Sequence, residues 1–310
     1  MTSMASPQTY AHGLTAKIRM EAMINAEIAL QLADMASLRQ FVTFVGSVNG
    51  TGSDTIRYRT TDLGAKTPLA AVADGAAITA GAMDGSYADV VVARQGQAYD
   101  LTDLFSMSGF GRDIDPFFVA SAMAKSAEAR INQIICATFD SATTSKGTSL
   151  SALSVASWLE ALYALEEANN GSPLSCVLKN KAFTQLQAAL RTENNNFLAF
   201  SPATEAMSSA KPQGYCGDLL GVSIFRSDYV QDNVGNTDWV SAMFSQNAIG
   251  YATGSPELVG ASAEFRPGGS PLVVEFNRES KKGITSIIAN LYVGASVLET
   301  DRIVKLISVK

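Results

Sequence analysis

A run of strand-forming residues extends from Tyr87 to Leu101 and is interrupted only by Gly96. Strands in globular proteins are usually about 5–6 residues long. Because this run is much longer and carries the polar residues Arg94 and Gln97 in its middle, it cannot pack wholly inside one small core. We therefore expect much of it to project from the body of the protein, with a bend at Gly96.

A second strand precedes this run. Apolar or small residues at Ile56, Tyr58 and Thr60 alternate with polar ones such as Arg57 and Arg59, the period-2 pattern of a strand with two different faces. The span between the two strands, residues 63–85, is rich in Gly, Ala, Thr and Asp. Together the segments predict a long two-armed hairpin with a wide, weakly hydrophobic tip.

Helical periodicity appears in four places. An apolar pattern over Lys17–Val45 follows sixteen residues that we expect to be flexible. A helix from Asp115 to about Phe139 has Asp115 as its N-cap and Pro116 at its first position. Two shorter helices are predicted from Ser154 to about Asn169 and from Asn180 to about Leu190.

Apolar strand patterns fill most of the remaining chain, and the polar stretch Thr192–Gly214 predicts a loop or insertion. The predicted strands are Ser175–Lys179, Gly221–Ser227, Asp238–Ser245, Ala248–Thr253, Pro271–Asn277, Ile284–Leu298 and Arg302–Ser308. Because the helices are grouped and do not alternate strictly with strands, the pattern favours an α+β fold over a doubly wound sheet.

Composition supports a folded chain that does not bind nucleic acid through a basic surface. The 310 residues are 47% hydrophobic and 17% charged, with a formal net charge of −6. That much apolar sequence argues against disorder. A net negative charge without clustered Lys and Arg argues against specific nucleic-acid binding, but it is compatible with a protein that encloses nucleic acid.

Cysteine usage and hydropathy predict a chain made in a reducing cytoplasm. Cys136, Cys176 and Cys216 stand forty residues apart and show no metal-binding or disulfide spacing. No apolar window is long enough for a membrane span, and the N-terminus lacks the apolar centre of a signal peptide.

Catalytic candidates are sparse. His12 is the only histidine and lies in the predicted flexible segment, so it is poorly placed for a Ser-His-Asp or Cys-His site. The segment "GFGRDID" (Gly109–Asp115) lacks the third glycine of a dinucleotide loop. We predict no enzyme activity, no cofactor and no metal site.

Asp100 and Asp103 form the remaining carboxylate pair. Two nearby carboxylates can hold a cation or act as acid and base. Residues at the end of a strand and the start of a helix also accept orphan backbone N–H groups, and the context "YDLTDLF" favours this capping role.

The order in which the elements follow one another along the chain is more informative than any single motif. An apolar arm and the hairpin lead into "LTDLFSMSGFGRDIDPFFVASAMAKSAEARINQIICATF". A central block follows, with "GDLLGVSIFRSDYV" and "MFSQNAIGYATG". The chain closes with "PLVVEFNRESKKGITSIIANLYVGASVLETDRIVKLI". In the order and lengths of these elements, nearly the whole chain resembles the HK97-type major capsid proteins of tailed bacteriophages. The individual motifs are loose signatures.

The resemblance implies a division of the chain into five parts. Residues 1–50 would form the N-terminal arm, 51–100 the extended hairpin called the E-loop, and 101–150 a peripheral domain with its long spine helix. Residues 151–260 would form the axial α/β domain, which would include the predicted insertion. Residues 261–310 would return to the peripheral domain.

The implied function is a structural subunit that assembles through hexamers and pentamers into an icosahedral shell around phage DNA. Implied partners are portal and scaffolding proteins and, in some family members, a decoration protein. The DNA would be enclosed without sequence-specific binding, and the chain would reside in the virion after synthesis in the host bacterial cytoplasm. No long charged scaffolding region precedes the arm, which leaves open a separate scaffold, prior cleavage, or assembly without one.

Contacts between subunits are expected at the charged residues of the hairpin and its continuation. These candidates are Arg57, Arg59, Lys66, Asp84, Asp89 and Arg94. The alternative is that these charged side chains are simply exposed to solvent and contribute little. Some members of the resembling family also cross-link a hairpin lysine to a neighbour's asparagine, for which Lys66 and either Asn277 or Asn290 are the candidates. Two other functions stay open: an encapsulin-type compartment shell, and a phage tail or other binding protein.

Overall fold

A computed structural model of the chain describes residues 38–49, 51–60, 74, 86–104, 116–169, 173–192, 200–202, 214–233, 235, 237–254 and 272–310. The strands in this part of the chain are β1 (Thr43–Ser47), β2 (Thr55–Thr60), β3 (Ser86–Val91), β4 (Ala93–Thr102), β5 (Thr144–Lys146), β6 (Leu174–Leu178), β7 (Phe200–Pro202), β8 (Tyr215–Leu219), β9 (Val222–Arg226), β10 (Asp238–Ser245), β11 (Ile249–Thr253), β12 (Leu272–Glu279), β13 (Ile284–Val297) and β14 (Ile303–Val309). The α-helices that the structure describes over their full length are α1 (Pro116–Ala137), α2 (Val155–Asn169) and α3 (Asn180–Thr192).

A seven-stranded mixed sheet forms the centre of the molecule, with the strand order β5-β14-β10-β6-β9-β8-β7. Its central strands are apolar on both sides. In β10, Val240 and Phe244 belong to one hydrophobic core and Met243 belongs to another. A strand buried on both faces needs a continuous apolar sequence, which is why β6 and β10 are recognisable as short hydrophobic runs.

Helices α2 and α3 cover one face of this sheet. Trp158 and Leu165 of α2 and Leu186 of α3 are fully buried against it. The Ser154 hydroxyl accepts a hydrogen bond from the Ser157 N–H at 3.1 Å, the N-cap contact that starts α2. Both helices lie where the sequence predicts them.

Helix α1 and a second, five-stranded sheet cover the opposite face. The helix has 22 residues, which corresponds to about 33 Å, and buries Met123, Ile131 and Ile135 in the core between the two sheets. Strand β13 is the centre of the second sheet. It pairs with β12 and β11, and β4 pairs with it from Thr102↔Ile284 to Ala93↔Val293.

Two connections pass between the sheets at the same place. Residues 246–248 join β10 to β11, and residues 298–302 join β13 to β14. The carbonyl oxygen of Ala248 accepts hydrogen bonds from the N–H groups of Leu298 at 2.8 Å and Glu299 at 3.4 Å. The two connections are therefore tied directly to each other.

The mixed α and β architecture and most of the predicted elements are confirmed, with two corrections. The helix predicted over Lys17–Val45 is wrong at its end, because Thr43–Ser47 is β1 and pairs in parallel with β11. The predicted loop Thr192–Gly214 contains β7, which pairs with β8. The first part of that helix prediction, together with His12 and Asp115, lies outside the described residues.

The five-part division of the chain stays a prediction. Its last part, residues 261–310, contributes to both sheets, since β12 and β13 belong to the five-stranded sheet and β14 to the seven-stranded one. Within the part of the chain that the structure describes, no helix is both long and apolar enough to span a membrane.

Asp238 is a buried carboxylate at the start of β10. It accepts hydrogen bonds from the Ser149 hydroxyl at 2.5 Å, the Leu150 N–H at 2.7 Å, Thr237 Oγ1 at 3.0 Å and Asn233 Nδ2 at 3.2 Å. These bonds, that of Ser149 above all, lower the pKa of Asp238. The ionised side chain thus ties the loop after β5 to the seven-stranded sheet.

Replacing this carboxylate should change how stability depends on pH. Because the pKa of Asp238 is lower in the folded chain than in the unfolded one, its ionisation stabilises the fold above about pH 4, and this is lost as the pH falls through the folded-state pKa. We expect Asp238→Asn to lower the free energy of unfolding at pH 7 and the deficit to shrink on acidification. Urea unfolding between pH 7 and pH 3, with the exposed Asp301→Asn as control, measures this. A deficit independent of pH would contradict it.

The core under α2 should carry a large share of the stability of the subunit. Leu165→Ala removes a fully buried side chain and should cost about 2–5 kcal/mol. Leu104→Ala makes the same chemical change at a highly exposed position and should change stability by about 0.5 kcal/mol or less. Urea unfolding of the unassembled subunit compares the two, and equal effects would show that this core is assigned wrongly.

Candidate functional site

Strands β2 and β3 form a two-stranded hairpin beside the five-stranded sheet. They pair antiparallel from Thr55↔Val91 to Thr60↔Ser86. One face of the hairpin packs into a small apolar cluster, in which the buried residues Val90, Ala252 and Leu298 meet. The hairpin is therefore anchored to the body by the apolar face that the alternating sequence predicts.

The other face of the hairpin is open to solvent. Arg57 Nε lies 2.8 Å from Asp89 Oδ1, and Arg57 Nη2 lies 3.0 Å from Asp89 Oδ2. This two-point pair lowers the pKa of Asp89 and raises that of Arg57. The arginine also lies 5.5 Å from the centroid of the Tyr87 ring. Tyr87 is 60% exposed and Val91 54%, so the face presents apolar surface next to a charge pair already formed within the chain.

The structure places four of the six predicted contact residues. Arg57 and Asp89 pair with each other, and Arg59 is exposed on the same strand. Arg94 lies on β4 and donates to Asn290 Oδ1 from Nε at 3.0 Å and from Nη2 at 2.8 Å. The remaining two, Lys66 and Asp84, lie outside the described residues. Whether any of the six contacts a neighbouring chain stays a prediction.

The two asparagines considered for a cross-link differ in accessibility. Asn290 is buried and its side-chain oxygen is held by Arg94. Asn277 is exposed on β12. Since a neighbour's lysine would need access to the amide, Asn277 is the better placed of the two.

The hairpin passes into the body at Val92, which is a correction to the bend expected at Gly96. Strand pairing switches from β2 to β13 between β3 and β4, whereas Gly96 lies within β4 opposite Asn290. The crossing requires a glycine on β13: a Cβ at Gly294 would lie 2.0 Å from the Val91 carbonyl oxygen. The sequence feature that permits the junction at Val92 is therefore Gly294, about two hundred residues away in the chain.

Asp100 and Asp103 are each engaged with the strands of the five-stranded sheet. Asp100 accepts a hydrogen bond from the Ser286 hydroxyl at 2.5 Å. The Arg278 guanidinium donates to both carboxylate oxygens of Asp103, from Nη1 to Oδ1 at 2.8 Å and from Nη2 to Oδ2 at 2.9 Å. These hydrogen bonds lower the pKa of Asp103. These contacts favour a structural role for both carboxylates, although the predicted capping itself stays a prediction. Within the described ranges, no three His, Cys, Asp or Glu side chains are grouped as a metal site.

A groove of about 350 Å³ lies between α1 and β4. Its floor is apolar and includes Met123 and Leu291, while its rim is polar. The rim residues bond to each other: Ser126 Oγ donates to Gln97 Oε1 at 2.6 Å, and Arg130 Nε donates to Gln95 Oε1 at 3.1 Å. A groove of this size can accept a side chain from a partner.

Two polar contacts hold residues 38 and 39 on α1. They are called the polar clasp below and were not predicted from the sequence. Leu38 N–H donates to the buried Asn132 Oδ1 at 3.0 Å, and Arg39 pairs with the buried Glu128 at 3.0 Å. Glu128 and Asn132 are four residues apart and share one helix face. Two polar residues on an otherwise apolar helical stripe were the available signal. The clasp fixes the start of the described chain on α1.

Comparison with known proteins identifies the fold. A structure from Mycobacterium phage Che8 matches with a TM-score of 0.59 and 15% sequence identity, covering 88% of this chain and 91% of that one. The capsid of Ralstonia phage GP4 matches with a TM-score of 0.59 and 8% identity, covering 87% of each chain. The holo-SrpI encapsulin complex from Synechococcus elongatus PCC 7942 matches with a TM-score of 0.53 and 13% identity, covering 89% of this chain and 85% of that one.

No protein-family model and no curated protein matches the sequence. The likeness is therefore one of structure, and at these identities it shows the fold. The chain has the HK97-type fold of phage capsid proteins over most of its length, and the resemblance drawn from the sequence is confirmed at that level.

Gly294 should prove essential to the root of the hairpin. Gly294→Ala forces the Val91 backbone away from β13 and should cost about 1–3 kcal/mol as an overpacked site. Gly96→Ala, the matched change on β4, meets nothing closer than 3.4 Å and should be far milder. Urea unfolding, together with hydrogen exchange of the hairpin amides, compares the two variants. Similar losses in both would contradict the close approach at Gly294.

Proposed function

We propose that the chain is the major capsid protein of a tailed bacteriophage, a structural subunit that assembles through hexamers and pentamers into an icosahedral shell around DNA. The observation that carries this proposal is the fold shared with phage capsids over about nine-tenths of the chain. In this proposal the hairpin β2–β3 is the E-loop and α1 is the spine helix. The helix layer on the seven-stranded sheet belongs to the axial domain.

The exposed face of the hairpin supports a role in assembly. Tyr87 and Val91 present apolar surface that the described chain leaves uncovered, and such surface marks interaction sites when it is contiguous. A neighbouring subunit that covers this face recovers hydrophobic free energy that one chain cannot gain alone.

The charged residues proposed as intersubunit contacts differ in whether they already have a partner within the chain. Arg59 forms no ion pair with the described part of the chain, so it is free to meet a carboxylate of a neighbour. Arg57 and Asp89 are already paired and would enter an interface as a unit. Arg94 donates to Asn290 while remaining exposed. Lys66 and Asp84 complete the proposed set of intersubunit contacts.

The remaining partners follow from the proposed function. Portal and scaffolding proteins would act during assembly, and a decoration protein is an optional addition. The net charge of −6 suits a wall that encloses double-stranded DNA without sequence-specific binding, since tight binding through basic patches would hinder the movement of DNA. Synthesis in the host cytoplasm and residence in the virion belong to the same proposal.

Shortening the hairpin tests this function. Deletion of Leu63–Gly85 leaves Thr61 and Asp62 as a two-residue link between Thr60 and Ser86, which are register partners. With that link changed to Asn-Gly, the favoured two-residue hairpin turn, the subunit should fold with an unchanged unfolding midpoint but fail to form stable shells. Negative-stain microscopy and sedimentation measure assembly.

The full-length chain is the control for the shortened hairpin, and three outcomes would contradict parts of the proposal. The full-length chain should give shells of uniform diameter, and a shortened chain that assembles equally well would refute the role of the hairpin. Shells that contain a co-purifying enzyme and lack DNA would instead favour the encapsulin alternative, whose fold is also similar. A full-length chain that stays a single subunit after refolding would overturn the shell function.

A further inference from the structure

The outward face of α2 combines large apolar side chains with acidic ones. Leu159 is 41% exposed and Tyr163 68%. Glu160, Glu166 and Glu167 share this face, which is called the acidic face below. Glu160 is paired with Lys146 at 3.5 Å, whereas Glu166 and Glu167 form no ion pair with the described part of the chain. Helix α2 contains no basic residue.

The outward face of α3 has the opposite character. Lys181 and Arg191 are exposed with the small residues Thr184 and Ala188 between them, at the spacing of one helix face. These four residues are called the basic face. Neither Lys181 nor Arg191 forms an ion pair with the described part of the chain. The exposed Arg226 lies over the Phe183 ring, 5.5 Å from its centroid, and adds positive charge beside this helix.

The two faces lie toward different ends of the same helix layer. Helix α2 contacts β5 and β14 at one end of the seven-stranded sheet, whereas α3 lies beside Arg226 of β9, toward the other end. Both helices bury their apolar sides in the same core. Within the residues that the structure describes, no ion pair joins the acidic face to the basic face, so both remain available to a second copy of the chain.

We propose that the acidic face of one chain docks on the basic face of a second copy of the same chain. The charges are complementary, and the large side chains Leu159 and Tyr163 face a surface that Thr184 and Ala188 keep shallow. Two different patches meeting in this way form a heterologous contact, which repeats from copy to copy and gives a ring when the rotation between copies closes. The proposed shell requires the closed ring. The inference rests on the proposed shell function and names the surfaces that hold neighbouring subunits in one cluster.

Charge reversal tests the pairing. Glu166→Lys with Glu167→Lys, or Lys181→Glu with Arg191→Glu, places like charges opposite each other and should raise the concentration needed for assembly by about tenfold or more. The fourfold variant exchanges the two charge patterns and should restore assembly. The effect should weaken at high salt, because salt screens exposed charges. Light scattering and sedimentation across a concentration series measure it.

Control variants separate this pairing from a general effect of charge. Lys125→Glu and Lys281→Glu change exposed residues that lie on neither α2 nor α3, and both variants should assemble as the unaltered chain does. Thermal unfolding of each variant checks folding. Normal assembly by both twofold variants, equal loss in the controls, or no recovery in the fourfold variant would each overturn the proposed pairing.

A cross-link gives a second readout that depends less on charge. In a chain whose partly buried Cys216 is replaced by Ser, Tyr163→Cys combined with Thr184→Cys, treated with an oxidant, should give ladders of linked chains on a non-reducing gel. Either cysteine alone should not, since identical patches do not meet in a heterologous contact. Linked pairs from Tyr163→Cys alone would show a two-fold contact instead, and ladders formed only with a different co-purified protein would assign the acidic face to another partner.

The outcomes also distinguish the two proposals. Shells formed normally by the charge variants would overturn the pairing and leave the shell function standing. Charge-dependent rings that never close into shells would support the pairing and overturn the shell function. A chain that remains a single subunit at every concentration would overturn both.

Discussion

Strand β13 is the constraint on which the rest of the structure depends. It has 14 residues, and it pairs with β12 and β11 as well as with β4. Its inward side chains, Ile287 and Leu291 among them, form the floor on which α1 packs. Its glycine at position 294 admits the chain that enters from the hairpin. A single strand therefore holds the second sheet together, supports the long helix and fixes the place where the hairpin joins the body.

The sequence pattern correctly predicted the elements whose structure depends on residues close by in the chain. The doubly apolar runs of β6 and β10, the helix after Pro116, and the two-faced strand at Arg57 all lie where the sequence placed them. Thr43–Ser47 was misassigned, because its five residues carry too little periodicity to distinguish strand from helix and its parallel pairing with β11 decides the outcome. The junction at Val92 depends on a distant glycine, which no local rule can detect.

The candidate site was only partly accessible from the sequence for the same reason. Charged residues on the hairpin were recognised, but the partners that they take were not: Arg57 meets Asp89 across the strands, and Arg94 meets a buried amide on β13. Exposed ion pairs contribute little to stability, so these contacts mainly fix side-chain positions. The uncovered face of the hairpin carries the apolar surface of Tyr87 and Val91 next to the exposed Arg59. Its binding to another surface therefore depends on shape and area as well as on charge.

The paired connections at Ala248 have a mechanical consequence. A molecule whose two sheets were joined by one strand could pivot there, but here two strands cross together and are hydrogen bonded to each other, and a common core lies between the sheets. Rotation of one sheet against the other would break both the bonds and the core. We therefore expect the two sheets to move as one body, and a load applied to the hairpin to enter that body where β3 passes into β4.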